Sequence, residues 1–171
     1  MKKLTSLLLL LMFIFSFSNL SAQLKIGYVD SEAIIDQLPD AQDAQKSIDV
    51  QIDKWEKEIK KLEQKWKDKY DEYERSKLIM SKQKKAEMEK ELISLEQDVA
   101  NFKQDKFGAN GKLFKLQEEL MKPIQNQVFN AIDEVAKEED FDFIFDRSGD
   151  LIFLYAKEKY DVTPMVLSKL Q

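Results

Sequence analysis

The sequence predicts a mainly α-helical protein with a small β-containing body, in which one long antiparallel helical hairpin forms an arm and both chain ends form its base. Three observations lead there. Between Asp40 and Phe107 the chain has neither glycine nor proline. Apolar residues in that stretch recur at alternating intervals of four and three, the spacing of a coiled-coil seam. The seam changes register once, near its middle, so no single stripe runs its length.

The chain of 171 residues opens with Met1-Lys2-Lys3, an apolar run from Leu4 to Phe17 and a small-residue stretch ending at Ala22. A positive start, a short apolar centre and a small residue before the cut describe a secretory signal peptide, residues 1–22, cleaved after Ala22. The alternative, a retained anchor, needs about 20 apolar residues to span a bilayer, and this run falls short. Absence of cysteine excludes a lipidated N-terminal cysteine, disulfides and thiol chemistry.

Lys25 to Val29 reads as a strand. Asp30 or Ser31 caps a short helix through Leu38, Pro39 ends that helix, and Asp40 caps the long arm that follows. The first seam comprises Ile48, Ile52, Trp55, Ile59, Leu62, Trp66 and Tyr73, interrupted by Lys69. The second comprises Met88, Leu92, Leu95, Val99, Phe102, Ala109, Leu113, Leu116 and Leu120, interrupted by Lys106. Neither extends into the other without placing charged or polar side chains in the seam, so a chain reversal is expected within residues 76–87, centred between Met80 and Ser81. That centre pairs Ile48 with Leu113, Ile52 with Ala109, Trp66 with Leu95 and Tyr73 with Met88, in arms ~50–60 Å long at about 1.5 Å per residue. A single helix in a parallel coiled coil would equally lack glycine and proline, but would leave one stripe exposed. Trp55 and Trp66 read as seam residues, with a partner-facing surface as the alternative.

On the return, Gly108 and Gly111 loosen the helix, as a hinge or as a close approach to the other arm. Pro123 is expected to kink it where arm meets body. The arm thus spans residues 40–120, and residues 23–39 and 121–171 form the body. Phe141, Phe143 and Phe145 alternate with Asp142, Ile144 and Asp146 as a strand with one apolar face. Residues 147–150 turn, and Leu151–Tyr155, with Ile152 and Leu154, forms a second strand. Thr163 caps a last helix with Pro164 in its first position. So small a sheet, drawn from Ile26, Tyr28, Val29 and the C-terminal strands, needs other copies of the chain to cover its faces and edges.

Charge and composition narrow the function. The formal net charge is −5 with no histidine, which removes the commonest general base and metal ligand. No Gly-rich phosphate loop or Ser/His/Asp set is present, so no enzyme and no cofactor is expected. Between Arg75 and Ala86 lie Arg75, Lys77, Lys82, Lys84 and Lys85 with no acid. Acids dominate from Glu138 to Asp150. The hairpin therefore carries its positive charge at the tip, beside the apolar trio Leu78, Ile79 and Met80. The bland account is a solubilised helical turn. The functional one is contact with anionic lipid, lipopolysaccharide or an acidic client segment. An acidic chain without a recognition motif is a poor nucleic-acid binder.

Three segments resemble the Skp/OmpH family of periplasmic chaperones: the opening strand Lys25-Ile26-Gly27-Tyr28-Val29-Asp30, the return segment Leu120-Met121-Lys122-Pro123-Ile124, and the closing Tyr160-Asp161-Val162-Thr163 before Val166-Leu167. The resemblance implies a jellyfish-shaped homotrimer, its strands pooled into a β-barrel body with three helical hairpins around a cavity. It also implies an ATP-independent holdase for unfolded outer-membrane β-barrel proteins in the periplasm. This arm is richer in aromatic residues (Trp55, Trp66, Tyr70, Tyr73) than the family pattern. A structural coiled-coil scaffold of the envelope, binding folded partners, is the rival function.

Overall fold

The computed structural model describes residues 24–149 and 154–171. The expected signal peptide and Ile152 lie outside them. In chain order the elements are β1 (Ile26–Val29), α1 (Ser31–Gln37), α2 (Pro39–Ser76), α3 (Lys82–Phe107), α4 (Lys112–Glu138), β2 (Phe143–Asp146), a 3₁₀ turn (Glu158–Tyr160) and α5 (Thr163–Leu170).

Both chain ends build the body. β1 and β2 pair in parallel, Ile26 opposite Phe143 and Val29 opposite Asp146. Parallel neighbours need a long crossover, and the whole of α1 to α4 supplies it. On its other side β1 is met by the chain before α5, where the Val162 amide donates to the Tyr28 carbonyl at 2.9 Å. Beneath the strands, Val29, Ile34, Leu38, Val128, Val135, Val162 and Val166 are buried in one apolar cluster. α1, α4 and α5 each contribute to it because their apolar residues recur at helical spacing.

The helix ends differ from expectation in three places. Asp30 does cap α1, accepting from the Ala33 amide at 2.9 Å. Pro39, however, starts α2 rather than ending α1: Leu38 is the last cap of one helix and the first of the next. Proline suits a first helical position, where its missing N–H has no partner to lose. Asp40 therefore sits in the first turn, favourable against the helix dipole, and not at the cap. Thr163 is the first residue of α5, not its cap. Its hydroxyl instead accepts from the Asp30 amide at 3.0 Å, joining the C-terminal helix to the end of β1. At its own C-terminus α4 closes with Asp140 at φ 55°, the left-handed position that usually takes glycine or asparagine. The Phe141 amide then reaches back to the Ala136 carbonyl at 2.9 Å.

That reversal also removes Phe141 from the strand. β2 begins at Phe143, and Phe141 packs on the core cluster instead. Ile144 faces the core and Phe143 and Phe145 face outward, stacked with ring centroids 6.4 Å apart. The second expected strand is not formed by its described residues, since Leu154 and Tyr155 are irregular and exposed.

α2 and α3 lie against each other, joined by Lys77–Ser81. Lys69 meets Glu91 at 2.9 Å and Lys103 meets Glu63 at 2.8 Å. Trp55 meets Phe107 edge-on at 5.9 Å between centroids. Early residues of α2 thus face late residues of α3, an antiparallel pair. Trp55, Met88 and Leu95 are buried along it, and Ile48 is buried further along α2, on the side of α4. The return is not one continuous helix. α3 stops at Phe107, and Ala109, expected in the seam opposite Ile52, is exposed in a four-residue gap. α4 then runs unbroken through Pro123 and across the expected boundary at 120/121.

Candidate functional site

The distal turn is the first candidate surface. Ser81 caps α3, its hydroxyl accepting from the Lys84 amide at 3.2 Å. The closed turn turns Leu78 and Ile79 outward, 93% and 88% exposed, while Met80 is half-buried. The five basic residues do not form a bare cationic patch. Lys77 pairs with Glu74 at 2.7 Å, Lys84 with Glu87 at 3.8 Å and Lys85 with Glu89 at 4.0 Å. Glu74, Glu87 and Glu89 lie just outside the acid-free stretch, and helical spacing folds them back onto it. Among the described residues Arg75 and Lys82 have no carboxylate partner; the Arg75 Nε donates to the Asp71 carbonyl at 3.0 Å.

Behind the tip the two helices are joined by polar contacts that the apolar pattern did not show. The Tyr73 hydroxyl donates to Glu89 at 2.5 Å, and that carboxylate, with burial adding to it, pushes the phenol pKa up to about 12. Lys69, which interrupts the first seam, holds Glu91 across the pair and Glu72 on its own helix. The hydrogen bond to Glu91 is the main reason its ammonium stays charged above the usual lysine range. Trp66 stacks on the exposed Tyr70 at 5.2 Å. Trp55 is buried, and Trp66 is half-buried beside Glu96 and Val99 of α3.

At the gap, Gly108 and Gly111 have ordinary negative φ, and what they need is space. A Cβ on Gly108 would lie 2.4 Å from the Gln104 carbonyl oxygen, and one on Gly111 would lie 2.8 Å from that of Lys106. Pro123 lies inside α4, away from this break. Between α2 and α4 runs a groove of about 450 Å³ lined by Gln45, Ile48, Phe114, Met121, Lys122 and Gln125.

Of the body residues, Val29 and Tyr28 are buried within the chain itself, whereas Ile26, Phe143, Phe145 and Leu154 are exposed. A cleft of about 430 Å³ beside β1 is lined by Leu24, Ile26, Tyr28, Tyr155 and Tyr160. One polar assembly in the body was missed by sequence reasoning. The Asp146 carboxylate accepts from the amide and hydroxyl of Ser31 and from the amide and hydroxyl of Ser148. Burial pushes this carboxyl up, but the four hydrogen bonds outweigh it and hold its pKa below the usual range. The Asp146-Arg147-Ser148 run, an Asx-type turn, was the available signal.

Among the described residues no cluster of acids could hold a metal ion, and no helix is long and apolar enough to cross a membrane.

Residues 25–170 match the family described as outer membrane protein (OmpH-like). No curated protein matches the sequence significantly. Among solved structures, the fold is similar to that of a protein from Caulobacter crescentus CB15, proposed as an OmpH-like outer membrane chaperone. The TM-score is 0.67 at 11% identity, covering 87% of this chain and 85% of that one.

Proposed function

The chain belongs to the OmpH-like outer membrane protein family, and on that premise we propose that it is an ATP-independent holdase for unfolded outer-membrane proteins in the periplasm. The observation that carries this reading is the family match over nearly all the described chain. The antiparallel helix pair supports it. An unfolded β-barrel protein exposes alternating apolar residues that aggregate in water. A long arm with scattered exposed apolar groups (Tyr70, Leu78, Ile79, Ile93) offers it many weak contacts and no single deep site. Release needs no nucleotide, because folding into the membrane is downhill for the client.

In this reading residues 1–22 direct export, residues 23–39 and 121–171 form the body, and residues 40–120 form the arm. Three copies pool their strands into a barrel. The outward faces of Ile26, Phe143, Phe145 and Leu154 are the surfaces they cover, while Tyr28, Val29 and Phe141 support those faces from within; Ile152 is assigned to the same interface by sequence alone. Three arms then enclose a cavity, and flexing at Gly108, Gly111 and Pro123 fits it to clients of different size. Mature protein is expected to suppress light scattering from a porin diluted out of urea, at about one trimer per client. Undiminished scattering, or capture of folded outer-membrane proteins in preference to denatured ones, rejects the holdase in favour of a scaffold.

The tip has its own proposed role, contact with anionic lipid or lipopolysaccharide through Arg75, Lys77, Lys82, Lys84 and Lys85, with Leu78, Ile79 and Met80 entering the interface. A basic residue beside an anionic surface contributes about 1 kcal/mol, so three such residues amount to roughly a hundredfold in affinity. Lys82, Lys84 and Lys85 all changed to Glu should lose at least that much binding to anionic vesicles at low salt, with a much smaller difference at high salt. Equal binding by variant and parent rejects the role.

A further inference from the structure

Where α3 stops and α4 starts, one carboxylate spans the gap. Asp105 Oδ2 lies 2.8 Å from Lys106 Nζ and 3.1 Å from Lys112 Nζ. Asp105 and Lys106 belong to the last turn of α3, Lys112 to the first turn of α4. Lys106 is only 14% exposed. Its ammonium lies 5.6 Å from the Trp55 ring centroid on α2 and 5.3 Å from that of Phe102, within the range of a cation–π contact. Glu58 of α2 also acts on it electrostatically. Three helices therefore meet at one charged node. At this level α2 is continuous and the returning chain is broken, so bending the arm needs only that α2 flex and the gap change width.

We propose that Asp105 is an ionic latch across this gap: by holding Lys112 of α4 to a carboxylate anchored through Lys106 on Trp55, it fixes the angle between α3 and α4 and so the bend of the arm. Gly108 and Gly111 leave the connection without side chains to pack, and Ala109 and Asn110 are exposed. Lys112 and Asp105 are each about half exposed, so the latch is weak enough to open under load and is screened by salt. This inference concerns the resting arm and stands apart from the chaperone reading.

The chain has no cysteine, so spin labels can be placed at will. Labels at Gln97→Cys on α3 and Glu119→Cys on α4, both exposed sites, report the angle as a distance distribution, with unlabelled chains in excess to suppress distances between copies. The parent is expected to give one narrow distribution. Lys112→Glu should shift and broaden it, raising the ratio of open to closed conformers up to about fivefold, while Lys112→Arg retains the parent distribution. In 1 M NaCl the parent should itself broaden, a result that needs no folded variant. A Lys112→Glu distribution identical to the parent's, a Lys112→Arg distribution as broad as that of Lys112→Glu, or a parent indifferent to salt would overturn the latch. No client enters the measurement, so its failure leaves the holdase test untouched.

Discussion

Ile34→Ala should lower the stability of the body by about 3 kcal/mol, within the range for truncating a fully buried isoleucine. Ile34 is 0% exposed and lies among Val29, Leu38, Val128, Val162 and Val166. These neighbours come from β1, from α1 and α4, and from the start of α5, so the cavity cannot be closed by moving one element. A body of this size has little stability in reserve, and a loss of that order unfolds a large fraction of it. Ile93→Ala supplies the comparison: Ile93 is 55% exposed on α3, and its truncation should change stability by less than about 0.5 kcal/mol. Denaturant unfolding followed at Tyr28 or Phe141, rather than by total helicity, separates body from arm. Equal midpoints for the two variants would mean that the apolar cluster does not hold the ends of the chain together.

The second large effect is at the gap. Gly111→Ala places a methyl group 2.8 Å from the Lys106 carbonyl oxygen and 2.9 Å from both the amide nitrogen and the carbonyl oxygen of Gly108. All three are backbone atoms, so no side chain can swing aside. The turn must open, at a cost of about 1–3 kcal/mol, and alanine meanwhile favours continuing the helix. We expect a lower unfolding temperature together with unchanged or increased far-UV helicity. Gly149→Ala is the control, because its nearest neighbour would be 4.0 Å away, at the Asp146 carbonyl oxygen. If Gly111→Ala melts with Gly149→Ala, the close approach at the gap is not a constraint.

What could be read from the sequence was what depends on neighbours along the chain. The cap at Asp30, the strand at Ile26–Val29 and the absence of helix breakers from Asp40 to Phe107 are all local signals. Local ambiguity explains the errors nearby. Proline both ends and begins helices, and at Pro39 it begins one. Thr163 has the residue type of a cap, but its hydroxyl is taken by Asp30, distant in sequence. A two-glycine stretch can loosen a helix or stop it, and here it stops one: α3 ends at Phe107 and α4 starts at Lys112. The parallel pairing of β1 with β2, the Asp146 clasp and the Asp105 node were not legible, because each joins residues that periodicity treats as unrelated. At the tip, counting charge along the chain overstated the basic patch, since helical geometry brings Glu74, Glu87 and Glu89 back to the lysines. Tyr28 and Val29 were likewise grouped with the residues offered to other copies, although the chain's own C-terminal segments already bury them.

The first hydrogen bond of the body, from the Lys25 amide to Asp142, closes a loop of 117 residues. Lys25 precedes Asp142 in the chain and has no partner for this contact until Asp142 is in place. The helical pair needs only its own neighbours and can zip as it is made, whereas β1 must wait for β2, and α1 for α4 and α5. Assembly order is thus written into the topology: the limb is ready before the base.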